Sequence, residues 1–377
     1  MSRAVAELHG RVADGFQHVA DELGATVHGP GAAFAATVDG ELVVDLWGGT
    51  ANDNGAPWEE QTIVLVFSGT KGLAATCLLL LVDRGLLDLD APVSRYWPEF
   101  AAHRKEGVLV RHVVSHTAGL PGLLPPVSAD DLLDGERMAV RLAQATPFWE
   151  PGTRLAYHAL TFGWLCAELV RRIDGRSLGV FFAEEVAEPL GLDLWIGLPP
   201  SLEDRVATLR PADDFRVTFV GDERDPLLRA LYGALLDNFV WNEPVYHNAE
   251  IPAVNGIGTA RSLARLYGCL VCDELDGRRL LSPETVRLGR RVISRGTCAV
   301  TGRQYAFGAG FELQTELLTL GPAADAFGHT GSGGSRHGAW PGARVGFSYA
   351  MRELRGEEAD DRGRRVLAAL ADAVGRR

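Results

Sequence analysis

The sequence predicts a discontinuous α/β domain, with an antiparallel sheet flanked by helices, interrupted by a mainly helical domain. Three observations carry that expectation. Strand-like segments stand near both ends of the chain, at 32–38 and 41–47, then at 304–315, 326–330 and 343–352. Between them, from about Asp88 to Val292, helical periodicity alternates with Pro/Gly-rich loops such as 120–126. The chain of 377 residues is also too long for one simple core. The expected division is 1–87 with 293–377 as the α/β domain and 88–292 as the helical one. A catalytic cleft is expected at their interface.

Each element has its own local reason. The first two strands flank Asp39-Gly40, a tight-turn signal between apolar runs. Residues 70–87 read as a helix with Ala, Cys and Leu on nearly every face, which marks a buried helix. Helices are expected over 129–145, 161–173 and 260–275, and an amphipathic one over 363–374 closes the chain. The five cysteines, Cys77, Cys166, Cys269, Cys272 and Cys298, sit mostly inside apolar helical patterns and read as core packing.

Composition excludes some functions. A net charge of −12 argues against a nucleic-acid partner, because phosphate binding needs clustered positive charge. The longest apolar run, 72–82, is too short to span a bilayer, so no membrane association is expected. Residues 1–16 alternate charged and apolar side chains without the apolar core of a secretory signal, so a cytoplasmic protein is expected.

The residue with most to say is Lys71, one of two lysines among 37 basic residues. Arginine serves almost everywhere a positive charge is wanted, yet arginine cannot release its proton and a buried lysine can. Lys71 follows Ser68 by three positions at the start of the buried helix, so hydroxyl and amine share one helix face. The helix start supplies backbone N–H donors near the Ser68 oxygen, and the amine can activate it. Lys105, in Ala-Ala-His-Arg-Lys-Glu-Gly, reads as solvated surface.

Tyr157 follows the Glu150-Pro-Gly-Thr153 turn and is placed to be anchored at an element boundary. A phenol beside a cationic lysine can lose its proton well below its usual value near 10 and act as a base. His329-Thr330-Gly331-Ser332-Gly333-Gly334 follows a short strand, and its glycines let backbone N–H groups approach a bound oxygen. No Gly-x-Ser-x-Gly elbow and no His-Glu-x-x-His motif occurs, which disfavours an α/β-hydrolase and a metal hydrolase. Neither a metal nor another cofactor is expected.

Ser68-x-x-Lys71, Tyr157 and His329-Thr-Gly, in this order, resemble the serine β-lactamase and penicillin-binding superfamily. Within it, class C β-lactamases and family VIII carboxylesterases are the nearest match. Supporting segments are His112-Val-Val-Ser-His-Thr-Ala-Gly-Leu-Pro121 and Val254-Asn-Gly-Ile-Gly258. The resemblance implies a β-lactamase/transpeptidase-like fold, Ser68 as nucleophile, and Lys71 with Tyr157 as the base pair. It implies an oxyanion hole from the Ser68 and Ser332 N–H groups, with His329, Thr330, Gly331 and His158 binding substrate. Two departures stand out: Ala159 replaces the Asn of Tyr-x-Asn, and His329 replaces the Lys of Lys-Thr-Gly. Both weaken recognition of an anionic β-lactam and leave acyl transfer intact.

The expected activity is therefore hydrolysis of a small-molecule carboxylic ester. An acyltransferase of natural-product biosynthesis is the alternative. A β-lactamase, a D-amino peptidase or a non-catalytic binding protein is less favoured. Aromatic residues in 219–241, including Tyr232, Phe239 and Trp241, either shelter an acyl acceptor or belong to the helical core. The oligomeric state is left open.

Overall fold

A computed structural model describes residues 7–215, 225–237, 239–272, 274–356 and 360–376. Strands from both ends of the chain form one nine-stranded sheet. Its order is Leu8–Val12, Glu41–Gly48, Ala32–Val38, Val345–Met351, Arg336–Trp340, Phe327–Thr330, Glu312–Leu313, Gln304–Phe307 and Ser294–Thr297. Every neighbouring pair is antiparallel. The two central strands, Ala32–Val38 and Val345–Met351, are buried at every position, so both faces are covered and the runs are continuously apolar. A Cβ at Gly346 would lie 2.2 Å from the Gly268 nitrogen, so helix Ala260–Val271 packs on that face. Tyr349, of opposite parity, meets Gly363 of the terminal helix Arg362–Val374, which covers the other face and pairs with helix Gln17–Thr26.

The Asp39-Gly40 turn joins its two strands as expected, with both residues at positive φ, 51° and 84°. The buried helix runs Thr70–Asp83, shorter than expected, and ends ahead of Gly85 at φ 70°. The span 129–145 divides at Asp134, whose carboxylate caps helix Gly135–Gln144 by accepting from the Arg137 N–H at 2.8 Å. The expected strand 304–315 is two strands, because the chain turns at Gly308–Gly310. A side chain at Gly308 would strike the Gly289 carbonyl, and Gly310 has φ 90°.

A second, three-stranded sheet joins Val64–Leu65, Gly256–Gly258 and Leu194–Ile196. It delivers the chain into Ser68 while holding the 253–256 loop alongside. The five cysteines are buried free thiols. Among the described residues no helix is long and apolar enough to cross a membrane.

Lys105 corrects one expectation. It is fully buried, not solvated, because its ammonium group donates to the carbonyls of Ala102 and Ala143, both at 2.9 Å, and of Ala145. Burial lowers its pKa to about 8. Tyr232 and Trp241 are likewise buried, as helical-core packing requires, while Phe239 is exposed; Phe219 lies outside the described residues.

Candidate active site

Ser68 sits in a tight turn between strand Val64–Leu65 and helix Thr70–Asp83. The residue before it, Phe67, has φ 46°, a left-handed conformation that costs a bulky residue on the order of 1–3 kcal/mol. Packing holds it there. The Phe67 ring meets Trp241 edge-on at 5.8 Å, and the Val66 N–H bonds to the Gly256 carbonyl at 2.9 Å. The Thr70 hydroxyl closes the turn by donating to Phe67 O and accepting from the Gly256 N–H at 2.7 Å.

Two glycines let the third-motif turn nest against the Ser68 turn. A Cβ on Gly69 would lie 2.6 Å from His337 Cδ2, and one on Gly331 would lie 2.3 Å from Val66 O. The backbone of Gly331 and Ser332 thus comes against the segment that carries Ser68. Ser68, Tyr157, Thr330 and Ser332 are each partly exposed, whereas Lys71 and His329 are buried beneath them.

Lys71 Nζ lies 3.2 Å from Ser68 Oγ, 2.8 Å from Ala159 O and 2.9 Å from Ala253 O. A neutral amine has two N–H bonds and one lone pair, which matches two carbonyls and one hydroxyl donor. Complete burial pushes the Lys71 pKa well below 10.5, outweighing the opposing fields of Cys166 and Glu312. The loop behind Ala253 O is fixed by buried Asn255. Its amide donates to Tyr246 O at 2.9 Å and to Ala249 O, and its carbonyl accepts from the Ile251 N–H at 2.9 Å.

The Tyr157 ring lies 4.8 Å from Lys71 Nζ, and its hydroxyl stands next to Ser68. It stacks on Tyr305 at 5.4 Å and Phe307 at 6.1 Å, with His116 at 4.9 Å. Backbone bonds fix its segment: the Ala156 N–H to His116 O, the His158 N–H to His116 Nδ1, both at 3.0 Å, and the Tyr157 N–H to Cys298 Sγ at 3.4 Å. The expectation of an acidified phenol is reversed here. Burial, with Tyr305 beside it, holds Tyr157 well above its usual 10 despite the opposing pull of Ser68. The geometry therefore favours a neutral amine and a neutral phenol side by side.

His329 and His337 are direct cross-strand partners, so both point to the face that carries the Ser68 turn. Burial lowers His329 to about 4 and His337 to about 3, leaving both uncharged at neutral pH. His158 does not fit the expected substrate contact. It is fully buried, its Nδ1 lies 2.6 Å from Ala156 O, and its Nε2 accepts from the Leu120 N–H at 3.2 Å. Both ring nitrogens are consumed by backbone.

Several contributors lie outside the sequence motifs. Ala159 O and Ala253 O hold the amine, Cys298, Tyr305 and Phe307 seat the tyrosine, and buried Glu312 binds Thr330. Ala253 had a signal as the neighbour of the Val254-Asn-Gly-Ile-Gly258 segment, and Ala159 as the second residue after Tyr157. Among the described residues, no group of three or more His, Cys, Asp or Glu side chains is arranged to hold a metal ion.

Comparison with known proteins gives a consistent result. A family model described as Beta-lactamase matches residues 16–371. The chain is 39% identical over 337 residues to Esterase/beta-lactamase LipL of Mycobacterium tuberculosis, covering 85% of this chain and 76% of that protein. The crystal structure of a family VIII carboxylesterase has a TM-score of 0.91 at 37% identity, covering 97% of this chain and 100% of that one. EstA from Arthrobacter nitroguajacolicus Rue61a has a TM-score of 0.87 at 31% identity, covering 97% and 98%. With its two-ended antiparallel sheet and a match over nearly its whole length, the chain belongs to the β-lactamase family, in the serine β-lactamase and penicillin-binding superfamily.

Proposed function

We propose that the protein is a serine carboxylesterase that forms an acyl-enzyme on Ser68. The observation that carries this reading is the Lys71 amine, placed on Ser68 Oγ with two carbonyls for its own N–H bonds. In the first step the Lys71 lone pair takes the Ser68 proton while Oγ attacks the ester carbonyl. The N–H groups of Ser68 and Ser332 receive the oxyanion. On collapse the leaving alkoxide takes the Tyr157 proton, and the Lys71 ammonium returns one to Tyr157. Water then enters where the alcohol left, and the same groups run in reverse to release the carboxylic acid. The cleft between the 1–87/293–377 unit and the 88–292 unit is the proposed substrate entrance. Buried and neutral His329, together with Ala159, supports a neutral ester over a carboxylated β-lactam.

Intact-mass analysis after mixing with p-nitrophenyl butyrate tests the reading. A transient adduct of one butyryl group is expected on the wild type, and none on Ser68→Ala. An adduct that persists in a folded Ser68→Ala variant would move the nucleophile elsewhere. Butyrate as product marks a hydrolase, whereas capture by an added alcohol in preference to water marks an acyltransferase.

A further inference from the structure

Glu312 plays no part in the steps above, yet it is a buried carboxylate directly behind the third motif. It is 3% exposed and stands opposite Gly328 in the sheet. Its Oε2 accepts from the Thr330 N–H at 2.9 Å and the Thr330 hydroxyl at 2.8 Å, and its Oε1 from the Thr319 hydroxyl at 3.3 Å. His329 Nδ1 lies 3.7 Å from Oε2. Burial pushes this carboxyl up, but the fields of His329 and Arg303 and the two Thr330 hydrogen bonds outweigh it, so it stays ionised.

A hydroxyl has one proton, and that of Thr330 is committed to Glu312. Only lone pairs remain for the cleft, where Thr330 is partly exposed. The adjacent histidine matches this polarity. Its Nδ1 lies 2.7 Å from Thr330 O, which only accepts, so Nδ1 carries the ring proton. His329 Nε2 is then a bare acceptor, buried without a partner among the described residues.

We propose that Glu312 sets the charge selectivity of the site: it takes the Thr330 proton and backs that edge with a fixed negative charge. The edge then excludes carboxylate-bearing esters and admits neutral or ammonium-bearing ones. A carboxylate there meets the Thr330 lone pairs and a like charge behind them, whereas an ammonium or hydroxyl group meets an unused acceptor on Thr330. This inference rests on the esterase reading and names the substrate class within it.

The test uses three p-nitrophenyl esters of phenylacetic acid bearing a para hydrogen, carboxylate or aminomethyl group. For the wild type, kcat/KM for the carboxylate ester is expected at least about 10²-fold below the neutral ester, with the aminomethyl ester at or above it. In Glu312→Gln the amide keeps the Thr330 N–H bond through its oxygen. The same oxygen still accepts from the Thr330 hydroxyl and the NH₂ faces Thr319, so the variant removes the fixed charge alone. The neutral-to-carboxylate ratio is expected to fall by at least about tenfold. Thermal unfolding checks that the variant is folded. Should it not fold, inhibition of the wild type by phenylboronic acid and its 3-carboxy and 3-aminomethyl derivatives decides, with the same order expected in Ki. A wild type that takes all three charge types within about threefold, or a folded Glu312→Gln with an unchanged ratio, overturns the proposal. Absence of an acyl adduct with every ester would instead overturn the esterase reading itself.

Discussion

Replacing Lys71 by arginine keeps a cation at the base of the site and removes its ability to accept a proton. Guanidinium does not deprotonate in a protein, so Ser68 would lose its base and kcat is expected to fall about 10²- to 10⁴-fold. The structure also forecasts a stability cost. Arginine brings five N–H donors to a fully buried position that offers three acceptors, Ser68 Oγ, Ala159 O and Ala253 O. Two donors are left over, at roughly 1–3 kcal/mol each, for a total of about 2–6 kcal/mol. Room is short as well, since a Cβ on neighbouring Gly72 would lie 2.0 Å from Tyr267 Oη. The assay is kcat with p-nitrophenyl butyrate below the variant's unfolding midpoint, together with that midpoint. The wild type should also lose kcat/KM on the acid side as Lys71 becomes protonated, with no alkaline loss below pH 10, where Tyr157 keeps its proton. A folded Lys71→Arg enzyme within tenfold of wild-type kcat would show that the residue supplies charge alone, and the base assignment would fail.

Four further outcomes follow from the same geometry. Tyr157→Phe keeps the stack on Tyr305 and Phe307, so the melting temperature should hold while kcat drops about 10²- to 10⁴-fold; a normal rate would demote the phenol to scaffold. Turnover of a short neutral ester should exceed that of nitrocefin by at least about 10²-fold in kcat/KM at pH 7.5, because two handles on the drug are missing. His329→Lys should narrow that gap, and efficient nitrocefin hydrolysis by the unmodified protein would overturn the preference for neutral esters. Gly69→Val should abolish acylation by forcing His337 and the Ser68 turn apart; wild-type adduct formation would refute that close approach. His329 at about 4 lies below the unfolded value near 6.5, so the unfolded chain binds more protons between them. Its stabilising contribution, on the order of 3 kcal/mol, is complete above pH 6.5 and lost as pH falls toward 4. Equal melting temperatures at pH 7.5 and 4.5 would contradict it.

The fold and the pairing of Ser68 with Lys71 are legible where the signal is local. The apolar runs at 32–38 and 343–352 mark doubly covered strands, and Ser68 with Lys71 share a helix face at fixed spacing. Strand Arg336–Trp340 escaped notice because Arg-His-Gly-Ala-Trp has no strand pattern of its own; its neighbours on either side impose the pairing. Lys105 was misread for the same reason. A polar local sequence hides the Ala143 and Ala145 carbonyls, nearly 40 residues away, that draw it inside. The protonation of Tyr157 differs from the expectation because burial, a property of the whole fold, outweighs the pull of its neighbours. That Ala159 and Ala253 give their carbonyls to Lys71 is not legible in the sequence, since any residue type supplies a carbonyl.

Both lysines are buried, which makes the chemical surface of this protein unusual. An activated ester acylates exposed lysine amines on most proteins, and that background obscures a true acyl-enzyme. Here the native fold offers such a reagent no lysine side chain at all. Succinimidyl esters and aldehyde fixatives should therefore leave its lysines untouched, and amine-directed coupling to a support would rely on the chain terminus. Lysine labelling becomes a reporter of unfolding: Lys71 and Lys105 react only once their carbonyl partners let go.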